Sequence, residues 1–148
     1  MILVEPKDID AVEDQIKPLL KKACEDHMSH VFVTVDDYID SMKEGRRYLF
    51  VTDPIEFIVV FQFEIVNEKK RLILLFCAGK NYKKHVDEGM QTLLDFAEIA
   101  DCSEIISYVR LGITKDLFRW GFSENKYKHE HKEVFKVIGD SQTSSAGR

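Results

Sequence analysis

Two apolar runs, Phe57–Val66 and Arg71–Ala78, flank a short polar stretch, Asn67-Glu-Lys-Lys70, and a one-faced helix follows almost at once. The first run is rich in β-branched and aromatic residues, which fit a pleated, half-buried surface. Two such runs around a polar turn read as a β-hairpin. Gly79-Lys-Asn81 then breaks the pattern. From about Lys83 to Ala100, Val86, Met90, Leu93, Ala97 and Ala100 fall at i, i+4, i+7, i+11 and i+14. That spacing places them in a single stripe down one side of a helix. A hairpin followed by a long amphipathic helix needs a sheet for the helix to cover, so all-helical and all-β folds are excluded.

The flanking segments extend the same pattern. Ile2-Leu-Val4, ended by Pro6, reads as a strand. Asp10-Ala-Val-Glu13 has the capping-box spacing and is expected to open a helix, with Val12, Ile16, Leu19 and Ala23 on its apolar face. Pro18 lies within it and predicts a kink or a two-part helix. Thr34 or Asp36 opens a second, shorter helix carrying Tyr38, Ile39 and Met42, with Gly45 as its C′ residue. Tyr48–Val51 is a strand ending at Asp53-Pro54, and Ile105–Val109 is another. Thr114–Trp120 reads as a short helix stopped by Gly121, and the last strand or strands lie within Tyr127–Ile138. The order is β-α-α-β-β-β-α-β-α-β. It describes an α/β chain with a mixed sheet and helices on both faces, as one domain over 1–138 with a flexible tail over 139–148.

Composition excludes several classes. Ten Phe, five Tyr and one Trp in 148 residues are too many core-formers for a disordered chain. No apolar stretch reaches the roughly 18 residues that span a bilayer, so no membrane association is expected. Glu5 and Asp8 are wrong for a signal peptide. Three widely spaced cysteines, Cys24, Cys77 and Cys102, favour reduced thiols and a cytoplasmic setting. A net charge of −5 argues against sequence-independent binding of nucleic acid, which depends on neutralising phosphates. Residues 1–45 hold 11 Asp and Glu against 5 Lys. Most of that acid reads as a solvated helix face, and a small part as a docking surface for a basic partner.

This order, with these lengths, resembles the GNAT superfamily of acyl-CoA-dependent N-acyltransferases. Ile9–Ala23, with its internal Pro18, is similar to the family's first helix; Arg71–Ala100 to its central strand–turn–helix; and Trp120-Gly-Phe122 to the end of its last helix. The resemblance implies a GNAT-like mixed, mostly antiparallel sheet of about six or seven strands. A narrower likeness rests on Leu75-Phe-Cys-Ala-Gly79, Phe96-Ala-Glu-Ile-Ala-Asp-Cys102 and Tyr108-Val-Arg-Leu-Gly112. These stretches are similar to short GNAT-like proteins of tailed bacteriophages. That likeness implies a structural or assembly role, a phage or host protein as partner, and a location in the host cytoplasm or the virion.

In the superfamily, the helix after the fourth strand offers its free N–H groups and positive dipole end to the cofactor pyrophosphate. The resemblance places that site at Cys77, Ala78, Gly79, Lys80, Lys83, Lys84 and His85, with acetyl-CoA as the cofactor of an active enzyme. The family's glycine positions fall on about Glu88 and Met90, with Gly89 between them, so the pattern is broken. Asp87 and Glu88 would repel a pyrophosphate, whereas Lys80, Lys83, Lys84 and His85 would attract one. The plainer reading is an ordinary basic, solvated helix start.

The family's helix Tyr falls at about Leu117. The resemblance gives that Tyr the role of acid toward the leaving thiolate, and Tyr108, or else Ser107, on the fifth strand is the candidate in its place; Glu64 on the third strand is the candidate general base for an amine. The plainer reading of Glu64 is an outward strand carboxylate. Cys77 could be a nucleophile or a small buried hydrophobe. His129 and His131 have metal-ligand spacing but read better as a polar strand face. His27 and His30 read as exposed helix-end residues. The two function classes left are a non-catalytic phage structural or interaction protein and a divergent N-acetyltransferase acting on an amine.

Overall fold

A computed structural model describes residues 1–26, 33–110, 123–128 and 131–138. Its elements are β1 (Ile2–Val4), a 3₁₀ turn (Pro6–Asp8), α1 (Ile9–Asp26), α2 (Val35–Lys43), β2 (Tyr48–Val51), β3 (Phe57–Val66) and β4 (Lys69–Gly79). α3 (Tyr82–Ile99), β5 (Glu104–Arg110), β6 (Ser123–Lys128) and β7 (His131–Val137) follow. The strands lie in the order β1-β2-β3-β4-β5-β7-β6, a seven-stranded sheet. β1–β2, β2–β3, β5–β7 and β6–β7 pair antiparallel, and β4–β5 pair parallel. The mixed, mostly antiparallel α/β architecture expected from the sequence is therefore present. The expected helix at Thr114–Trp120 and the tail lie outside the described residues.

Local chemistry explains most boundaries and two departures. The hairpin turn is only Asn67-Glu68, both in the left-handed region at φ 51° and 66°, so Lys69 and Lys70 belong to β4. Two consecutive residues of that kind match the right-handed twist of the flanking strands. Asp10 does not cap α1. The Pro6–Asp8 turn, closed by Asp8 N–H on the Glu5 carbonyl at 2.9 Å, has already turned the chain, and Asp10 lies in the helix's first turn. Pro18 does not split α1 in two; it lies on an exposed position, as does Asp14, whose carbonyl loses its donor there.

α2 starts as the sequence suggests. Thr34 Oγ1 accepts from Asp37 N–H at 3.1 Å, and Thr34 N–H donates to Asp37 Oδ2 at 3.0 Å. Gly45, at φ +76°, follows its C-cap. Both reciprocal bonds depend on the Thr34 hydroxyl or on the geometry it fixes. Thr34→Ala is therefore expected to cost about 1 kcal/mol, read as a lower urea midpoint at unchanged m-value.

The chain forms two compact units, Met1–Gln62 with Leu75–Gly89, and Phe63–Leu74 with the described residues from Met90 onward. In the first, alternation along the strands sorts side chains to two faces. Leu49, Val51, Ile58, Val60, Phe76 and Ala78 share a core with Ile16 and Leu20 of α1 and Tyr38, Ile39 and Met42 of α2. On the opposite face, Phe57 and Val59 meet the start of α3. Arg47 fastens α2 to β3: its guanidinium lies 4.8 Å from the Tyr38 ring and bonds Gln62 Oε1 and Ser41 Oγ. In the second unit Met90, Leu93 and Ala97 of α3 are buried, as are Ile105 and Ile106 of β5, and Phe63 stacks on Phe96 at 6.0 Å. The β4–β5 ladder pairs Arg71–Leu74 with Glu104–Ser107, and β4 continues beyond it to Gly79.

Candidate functional site at the start of α3

The expected cofactor segment is where β4 turns into α3. Cys77, Ala78 and Gly79 end the strand, and Gly79 takes φ +146°, a conformation side chains disfavour. A Cβ there would lie 2.2 Å from the Glu56 carbonyl oxygen and 2.6 Å from Phe57 Cα, so two backbones touch at this point. Lys80 N–H donates to the same carbonyl at 2.7 Å. Asn81, at φ +54°, directs its carbonyl to Lys84 N–H (2.9 Å) and His85 N–H (3.2 Å), which starts the helix.

The approach of Glu56 is the main feature the sequence did not suggest. Thr52 Oγ1 accepts from both Glu56 N–H (3.0 Å) and Phe57 N–H (3.2 Å), which folds the β2–β3 loop back on itself. The Glu56 carboxylate then lies on the first turn of α3. Its Oε1 is 2.5 Å from His85 Nε2 and 3.8 Å from Lys84 Nζ. The hydrogen bond from His85 holds its carboxyl below the usual value of 4.5, with Lys84 and the Asn81 side chain acting in the same direction. His85 is buried, its ring 5.7 Å from that of Phe57. Lys80, Lys83 and Lys84 are exposed.

One turn along, Asp87 and Glu88 are exposed, and Glu88 pairs with the Met1 amine at 3.1 Å. Gly89 is buried; a Cβ there would meet Val59 at 3.2 Å and Phe57 at 3.3 Å. Its missing side chain lets helix and sheet pack closely.

Cys77 through His85 are thus assembled by chain continuity on one strand–turn–helix. Glu64 and Tyr108 belong to the other unit. Glu64 Oε1 accepts from Arg71 Nη2 at 2.7 Å and Nε at 3.2 Å, while Arg71 Nη1 reaches Glu104 at 3.4 Å. Arg71 is a partner that the sequence reading passed over. A two-residue turn at Asn67-Glu68 sets Arg71 across the hairpin from Glu64, and that symmetry about the turn is a signal that could have found it. Tyr108 lies on β5 opposite Glu133, and its side chain is outside the described residues. The Ser107 hydroxyl is buried and donates to the Leu74 carbonyl at 3.1 Å.

Burial pushes the Cys77 thiol up to about 12, so at neutral pH it is protonated and a poor nucleophile. His27, His30, His129, Leu117 and Gly121 lie outside the described residues, as does the His131 side chain. Among the described residues no group of three His, Cys, Asp or Glu side chains could hold a metal ion, and no helix is long and apolar enough to cross a membrane.

The sequence matches no protein-family model and no curated relative. Solved structures do match. The PaiA N-acetyltransferase of Thermoplasma acidophilum, in complex with coenzyme A, aligns with a TM-score of 0.63 at 11% identity, over 93% of this chain and 99% of its own. An N-acetyltransferase of Staphylococcus aureus Mu50 aligns with a TM-score of 0.65 at 12% identity, over 93% and 96%. An acyl-CoA N-acyltransferase of Pseudomonas aeruginosa gives 0.63 at 10%, over 92% and 98%. Identities this low carry architecture and nothing finer. On that evidence, together with the strand order and the strand–turn–helix at its centre, the chain has the fold of the GNAT acyl-CoA N-acyltransferases.

Proposed function

We propose that this is a GNAT-fold protein whose acyl-CoA site no longer serves catalysis. In this reading it acts as a phage structural, assembly or interaction protein, with a phage or host protein as its partner, in the host cytoplasm or the virion. The observation that carries the non-catalytic part is the use of Gly89. The glycines expected at this helix start serve to let the backbone approach phosphates. Here the glycine nearest those positions is buried against Val59 and Phe57, while the positions beside it carry the side chains of Glu88 and Met90. The engagement of Glu64 by Arg71 supports the same reading, because a base tied to a guanidinium must give up that pair to take a proton. The phage role rests on the resemblance of Leu75–Gly79, Phe96–Cys102 and Tyr108–Gly112. It is tested by mass spectrometry of purified particles, in which the chain is expected.

A second reading is favoured by the three exposed lysines, Lys80, Lys83 and Lys84, around α3's start. It is a divergent acetyl-CoA-dependent transferase acting on an amine. Cys77 to His85 would hold the cofactor, which supplies the activated acyl group, with Glu64 as base and Tyr108 as acid. Titration calorimetry separates the two. With millimolar acetyl-CoA, no binding heat and no acetyl transfer to small amines are expected. Binding that Lys83→Ala with Lys84→Ala weakens, together with turnover, would overturn the non-catalytic reading.

A further inference from the structure

We propose that the outer edge of β3, beside its hairpin turn, is a self-association site at which a second copy of this chain adds its own β3 antiparallel, about a two-fold axis at Ile65.

The edge follows from register. β2 faces β3 only from Val51↔Ile58 to Tyr48↔Phe61, and β3 runs on to Val66. The chain before Tyr48 does not extend that ladder, because Arg46 N–H and Arg47 N–H both turn to the Ser41 carbonyl, at 2.9 and 3.3 Å. Along an antiparallel strand, the main-chain groups of alternate residues point to the same side. The Phe57 carbonyl accepts from Thr52 N–H at 3.1 Å and so points to the β2 side; counting on by twos, so do the N–H and C=O of Ile65. Among the described residues β3 has no neighbours but β2 and β4, and β2 has ended. Ile65 is 73% exposed there and Val66 37%. An apolar strand edge of this kind is a template for another strand.

The occupant follows from complementarity across the axis. The two-residue turn sets Val66 opposite Lys69 and Glu64 opposite Arg71 within the hairpin, as the Arg71–Glu64 bond requires. Placing Ile65 of one copy against Ile65 of the other lets the two residues exchange a pair of main-chain bonds and cover each other's side chains. Glu64 then lies beside Val66 of the second copy. Lys69 of the second copy, exposed and next in line on that face, lays its stem over Val66 and brings its ammonium to Glu64. Symmetry repeats the arrangement, so each apolar contact is bridged by opposite charges. Centring the pairing on Glu64 instead would oppose two carboxylates, which is destabilising. The contact is isologous and closes at two copies. One short edge is well under the roughly 1,200–2,000 Å² that stable complexes bury, so the dimer is weak and its population follows concentration.

Sedimentation velocity of the full chain, in a series reaching roughly 1 mM, reads the association. The mean mass is expected to rise from that of one chain toward that of two. Ile65→Lys puts two ammonium groups on the axis and should abolish the rise; Lys69→Glu should weaken association about ten-fold. Cross-linking tests the register. Opposed Cα atoms in such a pair are about 5.5 Å apart, within disulfide reach, so Ile65→Cys should form a covalent dimer under a mild oxidant. Val66→Cys, whose counterpart is displaced along the strand, should do so no faster than the wild type, in which Cys24 is half-exposed. Should Ile65→Lys disturb the hairpin, Lys69→Glu and the two cysteine variants decide. A chain that stays monomeric throughout, a dimer that Ile65→Lys or Lys69→Glu leaves intact, or equal cross-linking at 65 and 66 overturns the proposal.

Discussion

Gly79→Ala is expected to lower stability by on the order of 3–5 kcal/mol, a large part of the ~5–15 kcal/mol that holds a domain together. Two penalties act together. The backbone is at φ +146°, which an L side chain rarely adopts. The new methyl would also lie 2.2 Å from the Glu56 carbonyl oxygen and 2.6 Å from Phe57 Cα. Both are main-chain atoms, so no rotamer change relieves the clash. The β3 start or the β4–α3 turn must shift, and with it the Lys80 N–H bond to Glu56. Gly45 is the internal control. Its φ is also positive, +76°, but the nearest atom to an added Cβ is Pro6 Cγ at 3.7 Å. Gly45→Ala therefore pays only the conformational cost, about 1 kcal/mol. Urea unfolding of the two variants side by side checks the difference. A Gly79 variant no worse than the Gly45 variant would contradict the close approach of the two backbones.

That approach also shows where the sequence was readable and where it was not. Features set by neighbours in the chain were legible. The α3 stripe is confirmed in Val86, Met90, Leu93 and Ala97, all buried, with Ala100 half-buried past the helix end. Thr34 and Gly45 bound α2 because capping is chemistry within one helical turn. Local rules failed where a second local element intervened, as when the Pro6–Asp8 turn displaced the cap expected at Asp10. Glu56 was invisible for a different reason. Its partner His85 lies 29 positions away, and the contact exists only because the β2–β3 loop folds back on Thr52 and meets the β4–α3 turn. Arg71 and Glu104, 33 positions apart, are brought together by ladder register in the same way. The basic residues of the candidate site could be read along the chain; the acid that neutralises them could not.

Phe61→Ala is the other substitution expected to be severe, at about 3–5 kcal/mol. Phe61 is fully buried on β3, on the same face as Phe57 and Val59. It lies opposite Tyr48 in the β2–β3 register, and its ring is 5.4 Å from those of both Tyr48 and Phe50, with interplanar angles of 21° and 20°. Truncation forfeits the transfer of a whole ring from water, two stacked contacts worth roughly 0.5–1.5 kcal/mol each, and leaves a void on that face of a sheet whose backbones are fixed by their ladder. Phe61→Leu retains most of the volume and should cost half as much or less. Phe63→Ala, at a half-buried position with one stacked partner, should also cost less. The order Phe61→Ala, then Phe63→Ala and Phe61→Leu, read from urea midpoints, tests whether the aromatic face of β3 is a packed layer. Equal losses at Phe61 and Phe63 would mean that burial at Phe61 contributes nothing beyond one ring contact. The same face of β3 carries Phe57, whose ring lies 5.7 Å from that of His85, the imidazole that meets Glu56.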